Sequence, residues 1–113
     1  MQEAKILLFG DTVGIPLLIK YIPCNNISGI IAASIRPKYH KELKKIAKSL
    51  KVPFIIQPKY SSSDYINFVK QIELIGPDLI WSNSYSMVIR DDVLSLAKKY
   101  INLGFKISLP ENY

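Results

Sequence analysis

Asn102 is the residue whose type and setting come nearest to catalysis. It closes a short apolar run, Ile101-Asn102-Leu103, and its carboxamide offers a donor that can polarise a carbonyl oxygen as negative charge develops there. An asparagine ending a short strand is also an ordinary turn residue, so residue type alone leaves both readings open. Upstream, Ser84-Tyr85-Ser86-Met87-Val88-Ile89 is a polar-to-apolar turn between a strand and a helix. Its exposed amides and carbonyls could read a planar heterocycle by backbone hydrogen bonds. The turn Gly10-Asp11-Thr12-Val13-Gly14 lacks the third glycine of a dinucleotide fingerprint and the Lys-Ser or Lys-Thr of a phosphate loop. What remains is a tight turn feeding a helix, whose amides could meet an anionic substrate group.

The other reactive side chains fit bland roles better. His40, the single histidine, stands beside Tyr39 at the start of a lysine-rich helix and reads as a surface residue. Asp91 and Asp92 suit the positive end of a helix. Cys24 is alone, which excludes an internal disulfide and a cysteine-built metal site, and no metal is expected. No serine lies in a Gly-x-Ser-x-Gly turn with partners to activate it. Trp81 and Tyr85 read as core and rim residues respectively.

The elements that must position these residues alternate along the chain. Residues 6–9, Ile-Leu-Leu-Phe, have the pattern of a strand buried on both faces, expected at the centre of the sheet. Residues 13–21 continue at helical spacing, with Thr12 or Asp11 available as caps and Pro16 tolerable in the first turn. A second buried strand is expected over 29–35, closed by Arg36-Pro37. Leu43, Ile46, Ala47 and Leu50 then form one apolar stripe on a helix, with lysines opposite. Residues 52–56 make a short strand between Pro53 and Pro58, which suits a position near the sheet edge.

Residues 61–64 offer caps for a helix running to Ile75, with Tyr65, Val69 and Ile72 inward and Gly76-Pro77 as the stop. A fourth strand follows at 79–81, then a helix from Asp91-Asp92 to Lys98-Lys99. Strands alternating with helices at this spacing predict an α/β fold, a doubly wound parallel sheet with right-handed crossovers.

With 113 residues, 49% of them hydrophobic, the chain supports a single domain over residues 1–113 with a modest core. The net charge of +6 permits weak association with polyanions. Much of it, however, lies at Lys38, Lys41, Lys44, Lys45, Lys48 and Lys51, on and around one helix, with no interleaved aromatics for base stacking. The amino terminus lacks a signal-peptide pattern, and residues 6–9 are too short to span a bilayer. The expectation is a cytoplasmic chain with no membrane partner.

The order of these features resembles the amino-terminal domain of the formyltransferases that use 10-formyltetrahydrofolate, the family of methionyl-tRNA, glycinamide ribonucleotide and sugar N-formyltransferases. Residues 5–18 are similar to its opening strand, Phe-x-Gly turn and helix, and residues 46–58 to its second helix and following strand. Pro77-Asp78-Leu79-Ile80, continued by Tyr85-Ser86-Met87-Val88-Ile89 and Val93-Leu94, resembles its strand and folate-binding loop. Each motif is loose alone; their order and spacing together are fairly specific.

The resemblance implies a Rossmann-like sheet of formyltransferase type and 10-formyltetrahydrofolate as cosubstrate, bound at Ser86, Met87, Val88 and Ile89. It also implies an amine acceptor near Gly10 and Thr12, and Asn102 as the catalytic asparagine. The acceptor class is a nucleotide-linked amino sugar or methionyl-tRNA, and nucleic acid is a partner only in the second case. The family's histidine, two residues after the asparagine, falls on Gly104. Ser108-Leu109-Pro110 echoes the motif that follows that histidine, one residue late. The family's aspartate would fall beyond Tyr113, as would the last strands of its sheet. The expectation is therefore an incomplete formyltransferase domain without appreciable turnover on its own. The alternative, from another class, is a non-catalytic interaction or oligomerisation module that forms a homo-oligomer through its sheet edge. A third, a nucleotide-binding half, would need phosphate contacts over residues 10–14.

Overall fold

Leu7, Leu8 and Phe9 are fully withdrawn from solvent, which consecutive strand residues achieve only when both faces of their sheet are covered. The structure, a computed structural model, describes residues 4–103. Strand β1 (Ile6–Gly10) leads through helix α1 (Gly14–Ile19) to β2 (Ile27–Ala33), and helix α2 (His40–Leu50) leads to β3 (Phe54–Gln57). Helix α3 (Tyr65–Ile75) then returns the chain to β4 (Leu79–Asn83), and the one-turn helix α4 (Asp91–Leu94) precedes β5 (Lys99–Leu103).

All pairings are parallel, and the order across the five-stranded sheet is β3-β2-β1-β4-β5. The predicted centre and the predicted edge are both where the apolar pattern put them, at β1 and β3.

The period-two geometry of a strand sorts the core into two clusters. Leu8, Ile30 and Ala32 meet Ile15 and Leu18 of α1 and Leu43 and Ala47 of α2. Leu7, Phe9, Ile31 and Ile80 meet Phe68 and Ile72 of α3 and Val93 of α4. The helices thus divide between the faces, α1 and α2 on one and α3 and α4 on the other. β1 and β4 are neighbours, but the chain leaves them toward opposite sides of the sheet, β1 to β2 and β4 to β5. That divergence makes their carboxyl ends the topological switch point, where α/β sheets place ligands.

Several boundaries differ from the sequence expectation. β2 begins two residues earlier than expected and stops at Ala33, and α1 ends at Ile19. The inward face of α3 is Tyr65, Phe68 and Ile72, with Val69 only partly buried against the cluster. Asp64 occupies the N-cap position of α3 without a side-chain cap; the amide of Asp64 instead donates to Ser62 Oγ at 3.1 Å. Gly76 ends α3 in the left-handed conformation, φ 63°, as a glycine stop should.

The largest difference is α4, which does not run to Lys98-Lys99. Leu96 and Ala97 donate to Val93 and Leu94 in tight turns, and both Lys98 and Lys99 amides donate to Asp78 O, so Lys99 opens β5 instead. Asp78 anchors this end of the sheet, its carboxylate accepting from the Lys5 amide at 2.8 Å. That hydrogen bond holds its pKa below the usual carboxylate value. The adjacent Lys98–Asp78 ion pair, at 3.7 Å, is exposed and contributes little. Among the described residues no helix is long and apolar enough to cross a membrane.

Candidate functional site

At the switch point the loops after β1 and β4 interlock. β1 and β4 run in register to Gly10 and Asn83. A Cβ on Gly10 would lie 2.6 Å from the Asn83 carbonyl oxygen, and one on Gly14 would lie 2.1 Å from it, so glycine is required for this approach. Asn83 Nδ2 donates to the Gly14 carbonyl at 3.2 Å and ties the two loops from the other side.

Asp11 shapes the first loop. Its Oδ1 accepts from the Val13 amide at 2.8 Å and the Gly14 amide at 2.7 Å, while its carbonyl accepts from the Ile15 amide at 3.0 Å. The Val13 and Gly14 amides, which the sequence offered to an anionic substrate, are thus engaged within the turn. Gly10 is buried and Thr12 half-buried beside it.

The loop over residues 84–90 starts at Ser84 in the left-handed region, φ 54°, uncommon for a side chain other than glycine or asparagine. It then folds across the carboxyl ends of β1, β2 and β3. Tyr85 packs edge-on against Phe9, 5.3 Å between centroids, and its hydroxyl donates to Gln57 Oε1 at 2.7 Å. Burial pushes this phenol well above its usual pKa, so it remains a neutral donor. Gln57, 3% exposed at the end of β3, turns its Nε2 to the Val88 carbonyl at 3.0 Å. Ser34 Oγ approaches Met87 Sδ at 3.7 Å from the end of β2.

Of the four candidate ligand-reading residues, Val88 therefore has its carbonyl occupied. Ile89 packs on the core. Ser86 meets Gly10 and Asp11 in a cleft with no room for a water molecule.

Asn102 lies on the other side of β4. It is exposed and in register with Ser82, which is 2% exposed. Ser82 Oγ donates to Asn102 Oδ1 at 3.0 Å and lies 3.1 Å from the Tyr100 hydroxyl. A serine carries one hydroxyl hydrogen, so with that hydrogen on Asn102 the Tyr100 hydroxyl donates to Ser82. Tyr100, Ser82 and Asn102 form a chain that fixes the carboxamide with its acceptor end toward β4 and its donor end away from it.

The fold brings Gly10 and Ser86 together across the switch point. Asn102 stands apart from the 86–89 loop, on the opposite flank of β4. Gly104 and residues 108–110 lie outside the described residues.

His40 serves the packing of the sheet. Its Nε2 donates to the Ala33 carbonyl at 2.7 Å, and its ring packs edge-on to Phe54 at 6.1 Å. Asp91 does stand in the first turn of α4, while Asp92 Oδ1 accepts from the Tyr65 hydroxyl at 2.9 Å. Trp81 packs against the α1–α2 cluster, and its buried indole N–H has no hydrogen-bond partner among the described residues. Among those residues no group of three or more His, Cys, Asp or Glu side chains could hold a metal ion.

Gln57, Ser82 and Tyr100 carry no site signal that sequence reasoning found. For Gln57 the available signal is a polar residue at an inward strand position, after Ile56. Ser82 and Tyr100 matter only through the β4–β5 register, which no local pattern encodes. No protein-family model matches this chain and no curated protein matches it, so its geometry alone bears on what it does.

Proposed function

We propose that the chain is a Rossmann-like domain of formyltransferase type that binds a reduced folate at the end of β4. Asn102 in this reading stabilises charge on the formyl oxygen. The observation that carries it is the Ser82 hydrogen bond to Asn102 Oδ1, which engages the acceptor end of the carboxamide and not its amide donor.

Bound 10-formyltetrahydrofolate would supply the formyl carbon. As an acceptor amine attacks that carbon, negative charge grows on the formyl oxygen, and the Asn102 amide is suited to donate to it. Since Gln57 already engages the Val88 carbonyl, the heterocycle would read the loop through Ser86, Met87 and Ile89. Gly10 and Thr12 border the acceptor side. Gly104 stands where the resemblance places a histidine, so this polypeptide by itself is expected to show no appreciable formyl transfer to an amino-sugar nucleotide or methionyl-tRNA.

Titration with 5-formyltetrahydrofolate, which does not transfer its formyl group, tests the reading. Amide shifts at Ser86, Met87, Ile89 and Asn102 that saturate with ligand are expected. A titration that leaves all four unmoved overturns it.

One observation favours a second reading, a non-catalytic module. β5 pairs only with β4 among the described strands, and Tyr100 on it is 41% exposed. A strand with an open side is a template for another chain. This reading predicts a defined homo-oligomer by light scattering together with no response to the folate.

A further inference from the structure

The folate reading leaves most of the chain's net charge unused. Residues 38–51 carry six lysines, Lys38, Lys41, Lys44, Lys45, Lys48 and Lys51, against one acid, Glu42, so five of the six net positive charges lie on α2 and its flanks. Lys41, Lys44, Lys45 and Lys48 recur at i, i+3, i+4 and i+7, all exposed, on the side of α2 opposite buried Leu43 and Ala47. None of the six is in an ion pair among the described residues, where the one salt bridge is Lys98–Asp78. Lys38 stands instead over the Tyr39 ring, 5.2 Å from its centroid.

Like charges at i and i+4 destabilise the helix that carries them. Lys41 meets Lys45, and Lys44 meets Lys48, at that spacing, and Glu42 is in no ion pair with any of them. A polyanion outside the fold would offset the repulsion. The neighbouring helix indicates which polyanion. α1 covers the same face of the sheet as α2, its Ile15 and Leu18 in one cluster with Leu43 and Ala47, so the outer sides of both helices look away from the sheet together. There α1 and its ends expose Val13 at 64%, Leu17 at 44% and Tyr21 at 81%, with Lys20 exposed among them.

We propose that the outer face of α1 and α2 docks on an anionic phospholipid surface, the lysines meeting headgroup phosphates while Leu17 and Tyr21 enter the acyl boundary. The negative potential of such a surface attracts each lysine near it, and the apolar layer beneath gives the exposed α1 side chains somewhere to bury. Nucleic acid would meet the charges but leave Val13 and Leu17 in water, and no aromatics stand among the α2 lysines for bases to stack on. The contact is peripheral, because no described helix is long and apolar enough to cross a membrane. It departs from the sequence expectation of no membrane partner, and it depends on neither Asn102 nor the 84–89 loop.

Cosedimentation of the full chain with vesicles of phosphatidylglycerol and phosphatidylcholine in equal parts, and with vesicles of phosphatidylcholine alone, tests the proposal. Binding to the first only, released by high salt, is expected. Lys44→Gln and Lys48→Gln, both at exposed positions, should each weaken it by about fivefold, whereas Lys70→Gln, the same change of charge on α3 across the sheet, should leave it unaltered. Leu17→Ser combined with Tyr21→Ser should also weaken it. The proposal is overturned if neither vesicle binds, if both bind alike, or if Lys70→Gln costs as much as Lys44→Gln. Capture by polyuridylate without vesicle binding would assign the charges to nucleic acid and overturn it as well.

Discussion

Ser82 on β4 and Asn102 on β5 are joined side chain to side chain across a parallel register, Ser82 Oγ donating to Asn102 Oδ1 at 3.0 Å. One partner is buried and the other exposed, so the bond transfers the rigidity of the core to a polar group at the surface.

Removing that bond should be felt in stability as well as at the site. Ser82→Ala deletes the link to Asn102 and the partner of the Tyr100 hydroxyl, and is expected to cost about 1 kcal/mol, because both freed groups can reach water. In a double-mutant cycle with Asn102→Ala, urea unfolding should show a coupling of at least about 0.5 kcal/mol. Strict additivity would mean that the pair does not act as a unit.

Gln57 is the corresponding pin for the 85–88 loop. Gln57→Leu leaves the buried Tyr85 hydroxyl without its acceptor, at a cost of about 1–3 kcal/mol. Gln57→Glu keeps an acceptor for Tyr85 but sets a carboxylate against the Val88 carbonyl, so it should destabilise too. Amide exchange at Tyr85, Met87 and Val88 should quicken in both variants, and unchanged exchange would show that the loop is held elsewhere.

Gly14→Ala sets two effects in opposition. Helix propensity alone predicts a gain of about 1 kcal/mol for alanine at the first residue of α1. The added Cβ, however, would lie 2.1 Å from the Asn83 carbonyl oxygen, a backbone atom held by the β1–β4 pairing. The clash should win, with a net loss of about 2 kcal/mol or more in denaturant unfolding. A variant as stable as the parent would mean that the two loops can separate freely.

The sheet is largely legible in the sequence because burial on both faces leaves unbroken apolar runs. Residues 6–9 mark the centre, and Pro53 and Pro58, which cannot donate to a ladder, mark β3 as an edge. The last helix departs from its pattern for a physical reason. Asp91-Asp92 and Lys98-Lys99 have the charges of a longer helix, yet the Lys98 and Lys99 amides are satisfied by Asp78 O, and tertiary pairing overrides end charges worth a few tenths of a kcal/mol to about 1 kcal/mol.

Local pattern singles out the 84–89 turn and Asn102 as candidates. It does not reach Ser82 or Gln57, whose partners are brought together only by strand order.

Two tyrosines should betray their burial in alkali. Burial raises both phenols: Tyr85 lies well above its usual value, and Tyr65 is raised further by its hydrogen bond to Asp92. The unfolded chain loses these protons near pH 10, whereas the native chain retains them, so between about pH 10 and the raised native values the folded state binds more protons. Stability must fall as pH rises through that interval, and the contribution is fully present below it. Urea midpoints should therefore decline above about pH 10, and Tyr65→Phe should flatten part of the decline. Tyrosinate absorbance should show Tyr65 and Tyr85 ionising together with unfolding; ionisation of both while the chain remains folded would show that water reaches the phenols.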